Sequence, residues 1–70
     1  MTFADAKNLA LGFLPEAETC TEYDDAFVFS VKNRISDSVV VKKDSRTVIS
    51  YFSYFLESDC MGHITATYSI

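Results

Sequence analysis

The side chains best equipped for chemistry lie in one short stretch, Asp59-Cys60-Met61-Gly62-His63. It holds the chain's only histidine, a thiol and a carboxylate. A thiol beside an imidazole becomes a nucleophile when the ring takes its proton. Acid–base work by His63 would need a carboxylate or nucleophile oriented against it. Zinc would need three or four ligands, and this stretch supplies two good ones, Cys60 and His63. A metal- or thiol-dependent site around Cys60 and His63 is therefore the minor reading, and a loop histidine beside an inert thiol the preferred one. The expectation is no catalytic residue, no metal ligand and no cofactor.

A second group is acidic: Glu16, Glu18, Glu22, Asp24 and Asp25, with no base among them. The Asp/Asn/Gly spacing of a calcium loop is absent. Two readings remain, a strand at a sheet edge kept from pairing by its charge and a surface that meets a basic partner. Basic residues gather later, at Lys32, Arg34, Lys42, Lys43 and Arg46. Lys42, Lys43 and Arg46 sit where a hairpin tip is expected and read as an ordinary soluble turn. The net charge of −4 opposes nonspecific binding to nucleic acid or an anionic membrane. No apolar run approaches the roughly 20 residues of a membrane span, and the N-terminus lacks the order of a secretory signal. The chain reads as a soluble cytoplasmic protein.

Seventy residues make a single domain, 1–70. A chain of this size buries only about 60% of its unfolded surface. Six Phe and four Tyr compensate with large side chains. The two cysteines, Cys20 and Cys60, are too few for a disulfide scaffold. Two reduced thiols is the preferred reading, although a bridge closing a loop of about 40 residues would add roughly 3–4 kcal/mol.

The elements that must position these groups follow from periodicity. Residues 2–14 read as a helix with Thr2 as cap and Asp5 completing a near-capping box. Phe3, Ala6, Leu9, Ala10 and Phe13 form its apolar stripe. Pro15 stops it at Leu14 or one residue earlier. Residues 16–22 read as a first strand at the sheet edge, and Asp24-Asp25 as a turn. Residues 26–32 form a strand with Phe27, Phe29 and Val31 on one face and Val28 and Ser30 on the other. Ile35 lies in a loop. The β-branched runs on either side of Lys43-Asp44-Ser45-Arg46 make a hairpin of strands near 38–42 and 47–51. Residues 64–70 alternate as a final strand.

Residues 50–56 are ambiguous. Tyr51, Ser53 and Phe55 alternate with Phe52 and Tyr54 as a strand would, while Phe52, Phe55 and Leu56 also fit a helical turn. The strand reading, ending in a short turn, is preferred. It puts aromatics on both faces, and one helix covers only one face. Tyr51, Phe52, Tyr54 and Phe55 then become candidate interface residues, because exposed apolar patches mark interaction sites. As a helical turn the segment would fold more of these rings into the core, and core is the slightly preferred reading.

The fold class that follows is α+β, with one N-terminal helix packed on a four- to five-stranded antiparallel sheet. Helix Phe3-Ala-Asp-Ala-Lys-Asn-Leu-Ala-Leu, strand Ala26-Phe-Val-Phe-Ser-Val and hairpin 39–48 resemble PepSY-type domains and related small bacterial immunity-like domains. The resemblance covers residues 3–50. It departs at the hairpin turn, where Lys42 stands for Asp, Ser45 for Thr and Arg46 for Gly. That Gly serves a positive φ, which Arg adopts at a cost. The resemblance implies a bacterial or phage protein-binding domain, sometimes an inhibitor, and transfers no functional residue. The functional expectation is a non-catalytic interaction module that binds a protein partner or a second copy of itself. An orphan structural domain with no separable activity is a further alternative. Little room is expected for a concave pocket of the usual ~300 Å³ or more.

Overall fold

A computed structural model describes residues 1–57 and 63–70, excepting the side chains of Ile35 and residues 55–57. The elements are α1 (Phe3–Leu11), β1 (Thr19–Tyr23), β2 (Ala26–Ser30), a 3-10 turn (Ile35–Asp37), β3 (Val39–Lys42), β4 (Val48–Ser50), α2 (Tyr51–Glu57) and β5 (Ile64–Ser69). The strands form one five-stranded sheet, ordered β4-β3-β2-β1-β5, and every neighbouring pair is antiparallel. The α+β class holds, with the N-terminal helix packed on this sheet.

The capping box on α1 forms in full. The Asp5 amide donates to Thr2 Oγ1 at 3.2 Å, and the Thr2 amide donates to Asp5 Oδ2 at 3.4 Å. Ala6 and Ala10 are buried against the sheet, and Phe3 and Leu9 pack at the margin. The helix ends earlier than expected, at Leu11. The chain then turns on bonds from the Phe13 and Leu14 amides to the Ala10 carbonyl. This turn sends Leu14 into the core and leaves Phe13 68% exposed, so Phe13 leaves the predicted stripe.

Alternation decides the two sheet faces. Cys20, Phe27, Phe29, Val31 and Val41 meet α1 on one face. Ala26, Val28 and Val40 face the other way. The residues opposite one another in register share a face, as Phe27 with Val41 and Val28 with Val40.

Two expectations are corrected. The first strand lies inside the sheet, between β2 and β5, and is not an edge. Charge on Glu22 does not prevent pairing because that side chain finds partners of its own. The aromatic segment is helical: α2 spans Tyr51–Glu57. The reason is partner exhaustion. Ser50 pairs with Val39, the Tyr51 amide adds one last bond to the Ser38 carbonyl at 3.1 Å, and the 3-10 turn Ile35–Asp37 lies just before Ser38, so a longer β4 would have no ladder to join. A helix satisfies its backbone internally. Ser50 starts it, its Oγ accepting from the Ser53 amide at 3.1 Å. α2 packs over β3 and β4, and Tyr54 is fully buried on the face away from α1. Both faces of the sheet therefore carry a helix.

Candidate functional site

The predicted interface residues separate. Tyr54 is 1% exposed and belongs to the core. Tyr51 packs at the margin of the same cluster. Phe52 stands 70% exposed. Phe55 lies in α2, and its side chain is outside the described residues. The face expected to be uncovered is thus partly covered by α2 and is not a sheet of aromatic rings. Away from α2, that face carries hydroxyls: Thr19 pairs with Ser69 and Thr21 with Thr67.

The acidic residues are also divided. Glu16 and Glu18 precede or begin the approach to β1, whereas Asp24 and Asp25 follow its other end. Glu18 Oε1 accepts from the Lys32 amide at 2.9 Å. Asp25 Oδ1 accepts from the Tyr54 hydroxyl at 2.8 Å. Glu16 comes to 4.0 Å of Arg34.

Glu22 is the centre of a polar cluster on the α1 face that sequence reasoning missed. Its Oε2 accepts from Lys43 Nζ at 2.6 Å, and its Oε1 accepts from the Tyr68 hydroxyl at 2.7 Å. The Lys43 hydrogen bond, followed by that of Tyr68, holds the Glu22 carboxyl below its usual range. The same contact to Glu22 raises the Tyr68 phenol. Lys43 also lies 5.0 Å from the centre of the Phe27 ring. The Tyr68 ring stacks on Phe3 at 4.0 Å and an interplanar angle of 10°. The cluster ties the β3–β4 turn, β1 and β5 together. Its polar groups bond to one another, with the Lys43 and Glu22 side chains 25% and 19% exposed.

Cys20 is a free, buried thiol. Burial, with a smaller push from Glu22, raises it to about 12. It is therefore not a nucleophile near neutral pH. His63 is exposed, while Asp59, Cys60, Met61 and Gly62 lie outside the described residues. Among the described residues, no three His, Cys, Asp or Glu side chains gather closely enough to hold a metal ion. No described helix is long and apolar enough to cross a membrane.

An open cleft of about 430 Å³ lies beside the start of β1, lined by Glu18, Thr19, Ser30, Val31, Lys32 and Asn33. It is larger than the sequence led us to expect. A left-handed Asn33, at φ 67°, shapes its rim.

β5 is a border strand of six residues, Ile-Thr-Ala-Thr-Tyr-Ser, without charge or proline. Ile64 at its start is 62% exposed. Its pairing to β1 shows which backbone groups remain. The Ile70 amide donates inward to the Glu18 carbonyl at 2.9 Å. By alternation, Tyr68 and Ala66 also point their backbone groups towards β1, and Thr67 and Ser69 point theirs outward. Thr65 is an extra residue at a register shift, its hydroxyl donating to the Glu22 carbonyl at 3.3 Å. The period-2 pattern of residues 64–70 revealed this strand, but not its place at the border.

In comparisons with protein-family models, curated proteins and solved structures, the chain matches none.

Proposed function

We propose that the protein is a non-catalytic interaction module that docks another protein chain along the outer edge of β5. The uncharged, proline-free edge carries this reading. Natural sheets usually guard such edges with Lys, Pro, bulges or a covering loop. Here one irregularity, the extra residue Thr65 opposite the Glu22–Tyr23 step, lies near the start of β5, and Thr67 and Ser69 beyond it are directed outward. An added strand would gain main-chain hydrogen bonds there, with side-chain pockets setting its specificity. Ile64 extends the edge with apolar surface. The PepSY-like and immunity-like resemblance of residues 3–50 supports the same functional class. The free thiol of Cys20 fits a reducing setting such as the cytoplasm.

The test is affinity capture from the source cells with immobilised wild-type protein and with Thr67→Lys. Thr67 is exposed on the border strand, so the added ammonium blocks the edge without entering the core. The expected result is a partner retained by wild type and lost by the folded variant. Equal capture by both proteins would overturn docking along β5.

A further inference from the structure

Independently of the docking edge, we propose that the cleft at the start of β1 binds a free α-amino acid, a zwitterion held between Glu18 and Lys32. Both residues line the cleft, yet they form no ion pair with each other. Glu18 is engaged at one oxygen: Oε1 accepts from the Lys32 amide at 2.9 Å, and Oε2 has no hydrogen bond among the described residues. Lys32 Nζ has neither a hydrogen bond nor an ion pair among them. The backbone bond ties the carboxylate to the residue that carries the ammonium. The cleft therefore offers one charge of each sign, with bonding capacity left on both.

These two charges select the ligand class. A simple anion drawn to Lys32 would be repelled by Glu18, and a simple cation the reverse. An uncharged ligand would use neither charge. A free amino acid carries an ammonium and a carboxylate on one carbon atom, so it meets both through charge-assisted bonds. The rest of the wall suits the same ligand. The Thr19 hydroxyl and the Asn33 carboxamide supply further donors and acceptors. Ser30 Oγ bonds to Ser38 Oγ at 2.9 Å and keeps further capacity. Val31 adds apolar surface for an uncharged side chain. The walls are held by the ladder: Thr19 pairs with Ser30, and the Glu18 amide donates to the Ser30 carbonyl at 2.9 Å. The volume of about 430 Å³ lies within the ~300–1,000 Å³ of small-molecule sites.

Amide NMR of the isotope-labelled full chain, titrated with L-leucine, N-acetyl-L-leucine and L-leucinamide, tests the proposal. L-Leucine is expected to shift the Thr19, Lys32 and Asn33 amides saturably, with a dissociation constant of about 1 mM, a modest value for so small a ligand. N-acetyl-L-leucine lacks the ammonium and L-leucinamide the carboxylate, and each should bind about tenfold more weakly. Lys32→Gln and Glu18→Gln should each weaken L-leucine by about the same factor. Both positions are exposed, and the carboxamide of Glu18→Gln still accepts from the Lys32 amide, so circular dichroism should match wild type. Lys32→Gln should leave L-leucinamide binding unchanged, because that probe has no carboxylate to lose. Absence of saturable shifts at these amides up to ~10 mM L-leucine, ten times the expected dissociation constant, overturns the proposal. So does equal binding of the three probes, or L-leucine binding untouched by a folded Lys32→Gln.

Discussion

The Tyr54 hydroxyl donates to Asp25 Oδ1 across 2.8 Å, fastening α2 to the turn between β1 and β2. The ring below that hydroxyl fills the space over Ala26, Val28 and Val40. One side chain thus supplies both the apolar contact and the polar anchor of the second helical layer. Tyr54→Phe should keep the ring and lose the anchor, lowering stability by about 0.5–1.5 kcal/mol. Tyr54→Ala removes a buried aromatic and should cost about 3–5 kcal/mol. Urea unfolding monitored by circular dichroism separates the two. Equal losses would mean that the hydroxyl, and not the ring, holds α2.

The Glu22 cluster predicts the pH dependence of stability. Glu22 is lowered from an ordinary 4.5, so its contribution is complete above that pH and is lost as pH falls through the folded-state value. Tyr68 is raised from an ordinary 10.0, so its contribution is complete below that pH and fades as pH rises through the folded value. Glu22→Gln should flatten the acid limb below pH 4.5 and lower stability at pH 7 by about 1 kcal/mol, the scale of a partly screened charge-assisted bond. An acid limb as steep as that of wild type would refute the cluster.

Cys20 should resist alkylation in the native state at pH 8, since its thiol is both buried and held at about 12. Iodoacetamide labelling followed by peptide mass mapping reads this site alone. In denaturing urea, the modification should become complete on the ordinary timescale of a free thiol. Rapid native labelling at Cys20 would show that the β1 core opens readily.

Arg46 occupies the left-handed region, at φ 56°. Its amide closes the β3–β4 turn on the Lys42 carbonyl at 2.9 Å. A positive φ was the reason that glycine is expected at this turn position, and the structure retains the conformation with an arginine. A non-glycine residue there is strained by about 1–2 kcal/mol. Arg46→Gly relieves the strain but increases the freedom of the unfolded chain by about 0.4–1 kcal/mol. The net expectation is a gain of about 0.5–1 kcal/mol, or several degrees in Tm. The lost pair with Asp5, exposed and 4.0 Å apart, contributes little. A fall in Tm would show that Arg46 is not strained in solution.

Local pattern alone determined α1 with its Thr2–Asp5 cap, the two-faced β2 and the β3–β4 hairpin. Each rests on neighbouring residues whose period specifies which side meets the core. The alternation of residues 64–70 likewise announced β5. Only the tertiary structure decided that β1 is interior and β5 the border, because strand order is set by pairing between distant segments. It also decided the state of Tyr51–Glu57. That segment has acceptable strand and helix patterns, and the end of the ladder at the Tyr51–Ser38 bond removes the strand option. The candidate site was the least legible part. Phe52 and Tyr54 look alike in sequence, yet one is exposed and the other buried, since a helix turns each residue about 100° from the last. The outward amides of Thr67 and Ser69 and the extra residue at Thr65 have no sequence signature at all, because they follow from how β5 pairs with β1.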